Sequence, residues 1–401
     1  MFKAITFKNT IGPGPLIDIG ALAEALLFYG RVAIVGNSAT IKGLLRQIPP
    51  FVLLSLLHDS RLEFHYLTDQ LGVSTSRLNN GKSIHSLIQF SSPDHTIEKV
   101  GPKEFKEAAG GTIQARIGAS RFSRLLRPID HAEFDQESIL QAISDNRGIQ
   151  SSVFSLIREI TPSFALPGDT FFTIKRENNG FYVDTNLDLD GLNKLYHQTV
   201  PASHSSLTEA YLLALIQGAY EATYFAGKLD TEVAVHPIER VIHAKGIEAI
   251  ALRRTRSQSQ IESFSDLTLA DSHAIREAVN SGAVAFSAVV KLLDSADKFR
   301  HWLHEQPPDE NLLRAYYQET VKESWVEKLP AKSTRWGIFT GAGLTLDALG
   351  AGGLGTTAGL ALSAVDTFLL DKLIKGWKPH QFIEKDLKAL FNEAPNIKKN
   401  G

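Results

Sequence analysis

Thr170-Phe-Phe-Thr-Ile-Lys-Arg-Glu177 and Phe181-Tyr-Val-Asp-Thr-Asn-Leu187 are two runs of alternating aromatic, β-branched and polar residues, joined through Asn178-Asn179-Gly180. Alternation at a period of two sends one set of side chains to each face of a strand. Asn179-Gly180 supplies the positive φ that a type I′ turn demands, so residues 170–187 read as a β-hairpin. An all-helical protein is thereby excluded, although much of the remaining pattern is helical.

Upstream of the hairpin, Ile17 to Tyr29 carries apolar residues at helical spacing, Val32 to Val35 is a compact strand, and Ile41 to Leu57 is helical with a break at Pro49-Pro50. Leu62 to Leu67 and Ile84 to Phe90 add strands, the second after a polar turn at Asn79-Asn80-Gly81. A small sheet with helices on it follows, and Pro93 to Lys103 reads as a linker. Thr112 to about Pro128 is helical, as is Asp135 to Ser144. Downstream, Ser206-Leu-Thr-Glu209 has the form of a capping box opening a helix through Phe225. A strand pair is expected at Glu232 to Val235 and Ile247 to Leu252. Three helices follow at Leu269 to Asn280, Ala283 to Leu303 and Asp309 to Leu329, punctuated by Ser281-Gly282, Pro307-Pro308 and Pro330.

The expected architecture is α+β. It comprises a small N-terminal α/β domain over 1–103, a central mixed domain over 104–260 with the hairpin, and a mainly α-helical C-terminal module over 261–401. At 401 residues the chain exceeds what one core usually supports. Its 43% hydrophobic and 21% charged residues exclude wholesale disorder, and a net charge of -2 argues against a surface coated in cations. The absence of cysteine removes disulfides, thiolate metal sites, iron–sulfur clusters and thiol nucleophiles. No basic stretch followed by an apolar core and a small-residue cleavage site opens the chain, so cytoplasmic residence is expected, with membrane association through the tract described next.

Gly337 to Val365 carries Asp347 as its only charge and is studded with glycine, including Gly337, Gly341, Gly350, Gly355 and Gly359. Glycines four apart, as in Gly337/Gly341 and Gly355/Gly359, let helix backbones approach closely. Lysines and arginines flank both ends, which suits a hairpin whose termini stay on one side of a membrane. Two spans would need about 40 apolar residues, and Asp347 inside one would cost about 2.5–3.5 kcal/mol. The tract is therefore either a buried, closely packed hairpin or one that self-assembles or contacts a membrane. Its formal G-x-G-x-x-G at Gly350, Gly352 and Gly355 follows no strand pattern, so no dinucleotide cofactor is expected.

Three segments carry a resemblance: Lys298-Phe-Arg-His-Trp302-Leu303; Trp325 to Trp336 with Leu329, Pro330, Lys332 and Arg335; and Asp366 through Leu373 to Gly376-Trp377-Lys-Pro379. Together with the glycine-rich hairpin they resemble a C-terminal module of uncharacterised bacterial proteins, over about a third of the chain. The resemblance implies a bacterial origin and a role in stress or phage defence, and no activity.

Arg116, Arg121, Arg124 and Arg127 fall within one expected helix that contains no acid, and they suit phosphate or nucleic-acid contact through their planar forks. A solvated helix face is the plainer alternative. His236, Glu239 and His243 lack the histidine spacing of the zincins, and no metal is expected there. Asp169 to Lys175 resembles the acid-plus-lysine arrangement of metal-dependent nucleases, but Thr173 stands where a second carboxylate belongs. No G-x-S-x-G is present. The sequence thus favours a non-enzymatic interaction or effector protein with a protein partner or its own copies. The alternatives are a metal-dependent hydrolase acting on nucleic acid and a nucleic-acid-binding module.

Overall fold

In the computed structural model the described residues are 2–9, 16–77, 83–91, 96–132, 146–177, 180–234, 257–262, 264, 275–306 and 382–392. They show a mixed α+β fold in two compact units, one of residues 4–22 and 31–256, the other of 1–3, 23–30 and 257–401.

The larger unit holds two sheets. Strands β1 (Ala4–Lys8), β2 (Arg31–Gly36), β3 (Glu63–Leu67), β6 (Leu126–Ile129) and β9 (Glu232–Ala234) form a wholly parallel sheet in the order β6-β3-β2-β1-β9. Ile5, Phe7, Val32, Ile34, Val35, Phe64 and Tyr66 are buried, consistent with a parallel sheet covered on both faces. Helices α1 (Ile19–Phe28), α2 (Ser38–Gln47) and α3 (Pro50–His58) connect the first three strands. Pro50 takes the first helical position of α3, where its missing N–H costs nothing.

Strands β4 (Gln70–Arg77), β5 (Ser83–Phe90), β7 (Phe172–Glu177) and β8 (Gly180–Thr185) form an antiparallel sheet in the order β4-β5-β8-β7. Its core gathers Phe172, Ile174 and Phe181 with apolar residues of α6 (Asn146–Ile160), α7 (Leu189–Thr199) and α8 (Glu209–Lys228). Helix α8 also packs on β1 and β9 of the parallel sheet, so it serves both sheets.

The expected division at residue 103 does not hold. β6 and β9 complete the sheet begun by β1 to β3, and β8 pairs with β5, so 1–103 and 104–260 share their sheets. Pro93 to Lys103 is not a linker throughout, because α4 (Ile97–Ala108) starts within it and accommodates Pro102. The helix expected from Thr112 to Pro128 is shorter: α5 runs Ile113–Leu125 under a Thr112 cap, and Leu126–Ile129 is β6. Pro128 is tolerated there because β6 is an edge strand. The hairpin forms, and Glu177 pairs with Gly180, so Gly180 belongs to β8 and not to the turn. Gly180 lies outside the left-handed region, and a Cβ on it would meet the His85 carbonyl oxygen at 2.4 Å. Its glycine is therefore required by the close approach of β5. At the start of α8 the cap is Thr208, which accepts from the Tyr211 amide, and Ser206 does not cap.

In the smaller unit, α9 (Ile275–Asn280), α10 (Phe286–Lys291), α11 (Leu293–Glu305) and α12 (Lys388–Asn392) are described. Phe299 meets Phe28, Phe264, Trp302 and Phe382 ring to ring. Phe299, Arg300, Trp302 and Leu303 of the first resemblance segment are all buried, so that segment is a core element of this unit. Its other two segments, the Gly337 to Val365 tract, His236 to His243 and Asp135 to Ser144 lie outside the described residues.

Candidate functional site

Four ionisable side chains converge where the parallel strands end. Lys8 closes β1, Asp69 lies two residues past β3, His131 two residues past β6, and Glu221 projects from the middle of α8. The His131 ring donates from Nδ1 to Asp69 Oδ1 at 2.7 Å and from Nε2 to Glu221 Oε1 at 2.7 Å. Lys8 Nζ reaches Glu221 Oε2 at 3.0 Å, with both side chains only 8% exposed. The His131 amide and the Gln89 side-chain amide both donate to Asp69 Oδ2, fixing that carboxylate from two elements. Phe225 presents an edge to the His131 ring at 4.9 Å between centroids.

The local chain explains each placement. The Thr68 amide and hydroxyl both donate to the Ile129 carbonyl, which holds the two strand exits together and carries Asp69 and His131 to one point. Glu221 falls on the buried face of α8 with Gln217 and Phe225, at helical spacing.

Burial disfavours a charge on His131, but the hydrogen bonds and charges of Glu221 and then Asp69 outweigh it and raise its pKa above the ordinary 6.5. Glu221 is likewise opposed by burial, and Lys8 and His131 overcome that and hold it below 4.5. The cluster is thus two cations against two anions. An imidazolium that donates through both nitrogens has no lone pair left to accept a proton, so His131 as placed is a clamp and not a general base.

The same edge has two further polar features. Asn9 Oδ1 is buried with no hydrogen-bond partner among the described residues. Helix α2 begins there under an Asn37 cap, directing its positive N-terminal pole to the end of β2. No protein-family model, curated protein or solved structure matches this chain.

Of the arginines expected to share a helix, Arg116, Arg121 and Arg124 do so on α5 and are exposed. Arg127 does not: it lies on β6 and pairs with Glu63 at 2.8 Å. Lys175 pairs with Asp184 across the hairpin. Among the described residues no group of three His, Asp or Glu side chains is arranged to hold a metal ion. Nor is any single helix among them long and apolar enough to cross a membrane. The bent pair α2 and α3 reaches that length and hydropathy together, but Ile41, Leu44, Leu45, Leu53, Leu56 and Leu57 are buried in the protein.

The charged cluster escaped the sequence reading because its members are scattered from position 8 to position 221. One signal was present: Glu221 is an isolated carboxylate in the apolar stripe of α8, and such a group needs a buried partner.

Proposed function

We propose that the chain is a non-enzymatic recognition and effector protein whose larger unit takes a small anionic ligand at the carboxyl edge of its parallel sheet. The output belongs to the C-terminal module and its Gly337 to Val365 tract, through assembly or membrane contact. The observation that carries the proposal is the full engagement of His131. Its neighbours spend its two nitrogens on positioning, so the cluster is built to hold charge in place.

The location supports ligand recognition. β1 lies between β2 and β9, and the chain proceeds from β1 outward through β2, β3 and β6 before returning to β9 on the other side. In open α/β sheets, ligands enter beyond the carboxyl ends of the strands at such a reversal. Lys8 and Asn9 stand there, beside the N-terminal pole of α2. An anion arriving at this point meets Lys8, which it shares with Glu221, and the N-terminal pole of α2.

The test is thermal denaturation of the whole protein with inorganic phosphate, pyrophosphate, mononucleotides and dinucleotides, followed by calorimetric titration of any that raise Tm. The expected result is stabilisation by at least one anion and its loss in Lys8→Met. A flat response across the panel overturns ligand recognition at this edge, and turnover of any of these compounds overturns the non-enzymatic assignment.

A further inference from the structure

We infer that the turn and exposed face of the α4–α5 helical pair dock on an anionic membrane surface. The two helices pack together within the larger unit and are joined through Gly110 and Gly111, both left-handed at φ 78° and 73°. A Cβ at either glycine would meet no described residue within 4 Å, so the turn has open space at both positions. Immediately after it, Ile113 is 77% exposed and Ile117, one turn on, is 54% exposed. Phe51 of α3, 48% exposed, lies against α5 at Gly118.

Cations outnumber acids around these apolar groups. α5 carries Arg116, Arg121 and Arg124 and no acid. Among the described residues no carboxylate pairs with any of the three. Over 97–125 there are six lysines and arginines against three glutamates. A groove of about 390 Å³ between the helices is lined by Lys106, Arg116 and Arg124, by one acid, Glu98, and by Ser120 and Ser123.

Cations alone fit any polyanion, and the isoleucines decide among them. A nucleic-acid backbone offers nothing to bury an aliphatic side chain, and isoleucine has no π face on which a base could stack. At a bilayer the same side chains enter the acyl boundary while the arginines meet anionic headgroups. The groove then receives a headgroup phosphate between Lys106, Arg116 and Arg124. This docking requires neither the glycine-rich tract nor ligand recognition at the sheet edge.

The test is flotation of the full chain with vesicles of phosphatidylcholine alone or mixed with phosphatidylglycerol. Three proteins are compared: wild type, Ile113→Asn/Ile117→Asn and Arg121→Ala/Arg124→Ala. All four side chains are exposed, and circular dichroism checks that each variant folds. Wild type is expected to float only with the anionic vesicles, and each double variant to lose about tenfold or more in partitioning. Equal flotation of wild type and variants overturns the inference and leaves the glycine-rich tract as the membrane contact. Absence of wild-type flotation overturns both as membrane contacts. Binding of single- or double-stranded DNA by wild type, without flotation and with loss in the arginine variant alone, assigns the face to nucleic acid and overturns it too.

Discussion

His131 and Glu221, ninety positions apart in the chain, meet at 2.7 Å through His131 Nε2 and Glu221 Oε1. This contact ties the exit of β6 to the middle of α8. Because α8 also packs on β1, β4 and β9, the pair fixes the helix that serves both sheets of the larger unit. Asp69 and Lys8 extend it into a chain of four groups spanning the ends of β1, β3 and β6.

Glu221→Gln retains the size of the side chain and removes its charge. Lys8 and His131 are then left facing a neutral amide in a site with almost no water. Removing one partner of a buried ion pair costs about 3–5 kcal/mol, and that loss is expected in urea denaturation of the variant. A change no larger than that of an exposed substitution such as Arg121→Ala would show that the pair contributes nothing.

The pH dependence follows from the two shifts. The raised pKa of His131 gives a stabilisation that is complete below its ordinary 6.5 and is lost as pH rises through the raised value. The lowered pKa of Glu221 gives one that is complete above 4.5 and is lost as pH falls through the lowered value. Both are complete between 4.5 and 6.5. The stability difference between wild type and His131→Gln is expected to be largest in that window and to decline at alkaline pH. A difference that grows above neutrality would contradict the ion-pair assignment.

Gly180→Ala tests why glycine is needed in the hairpin. The added methyl meets the His85 carbonyl oxygen of the neighbouring strand, and backbone cannot move aside as a side chain would. Overpacking of this kind costs about 1–3 kcal/mol, and it acts on the β5–β8 junction of the sheet. Thermal unfolding of Gly180→Ala at wild-type Tm would place the glycine requirement elsewhere.

The strands at 32–35, 62–67 and 84–90 and the hairpin were legible because each is a local run with its own period and boundaries. β1 and β4 were not. Ala4–Lys8 is five residues at the chain start, and Gln70–Arg77 is mostly polar, so their strand character comes from pairing with β2, β9 and β5. The same reason hid the shared sheets: pairing of β3 with β6 joins residues about sixty apart, and no local pattern announces it. Arginine spacing correctly grouped Arg116, Arg121 and Arg124. It failed at Arg127, where the helix gives way to the strand before Pro128.

The start of α8 offers a clean comparison of two hydroxyls. Thr208 Oγ1 accepts from the Tyr211 amide at 3.1 Å, whereas the exposed Ser206 Oγ meets the half-buried His197 ring at 3.3 Å and no backbone amide among the described residues. Thr208→Ala should destabilise by about 1 kcal/mol. Ser206→Ala should fall within about 0.5 kcal/mol of wild type, as surface changes usually do. Chemical denaturation of the two variants side by side decides it, and the reverse order would restore Ser206 as the cap.

In the smaller unit, Arg300 completes the end of α1. Leu26 lies in the last turn of that helix, where carbonyls lack helical partners, and the Arg300 Nη1 donates to its oxygen at 2.6 Å. The other terminal nitrogen donates to the Leu293 carbonyl at 2.9 Å and to Asp297. A guanidinium satisfies these acceptors at once because its donors are held in a planar fork. Arg300→Met preserves much of the apolar stem and strands the buried Leu26 carbonyl. Hydrogen bonds from a charged donor contribute about 1.5–3 kcal/mol, so a loss of that size is expected. Arg300→Lys should recover only part of it, since one ammonium cannot reach acceptors on two separate helices with the same geometry. Full recovery by lysine, measured by chemical denaturation, would mean that charge near Asp297 is what matters and that the Leu26 carbonyl needs no partner.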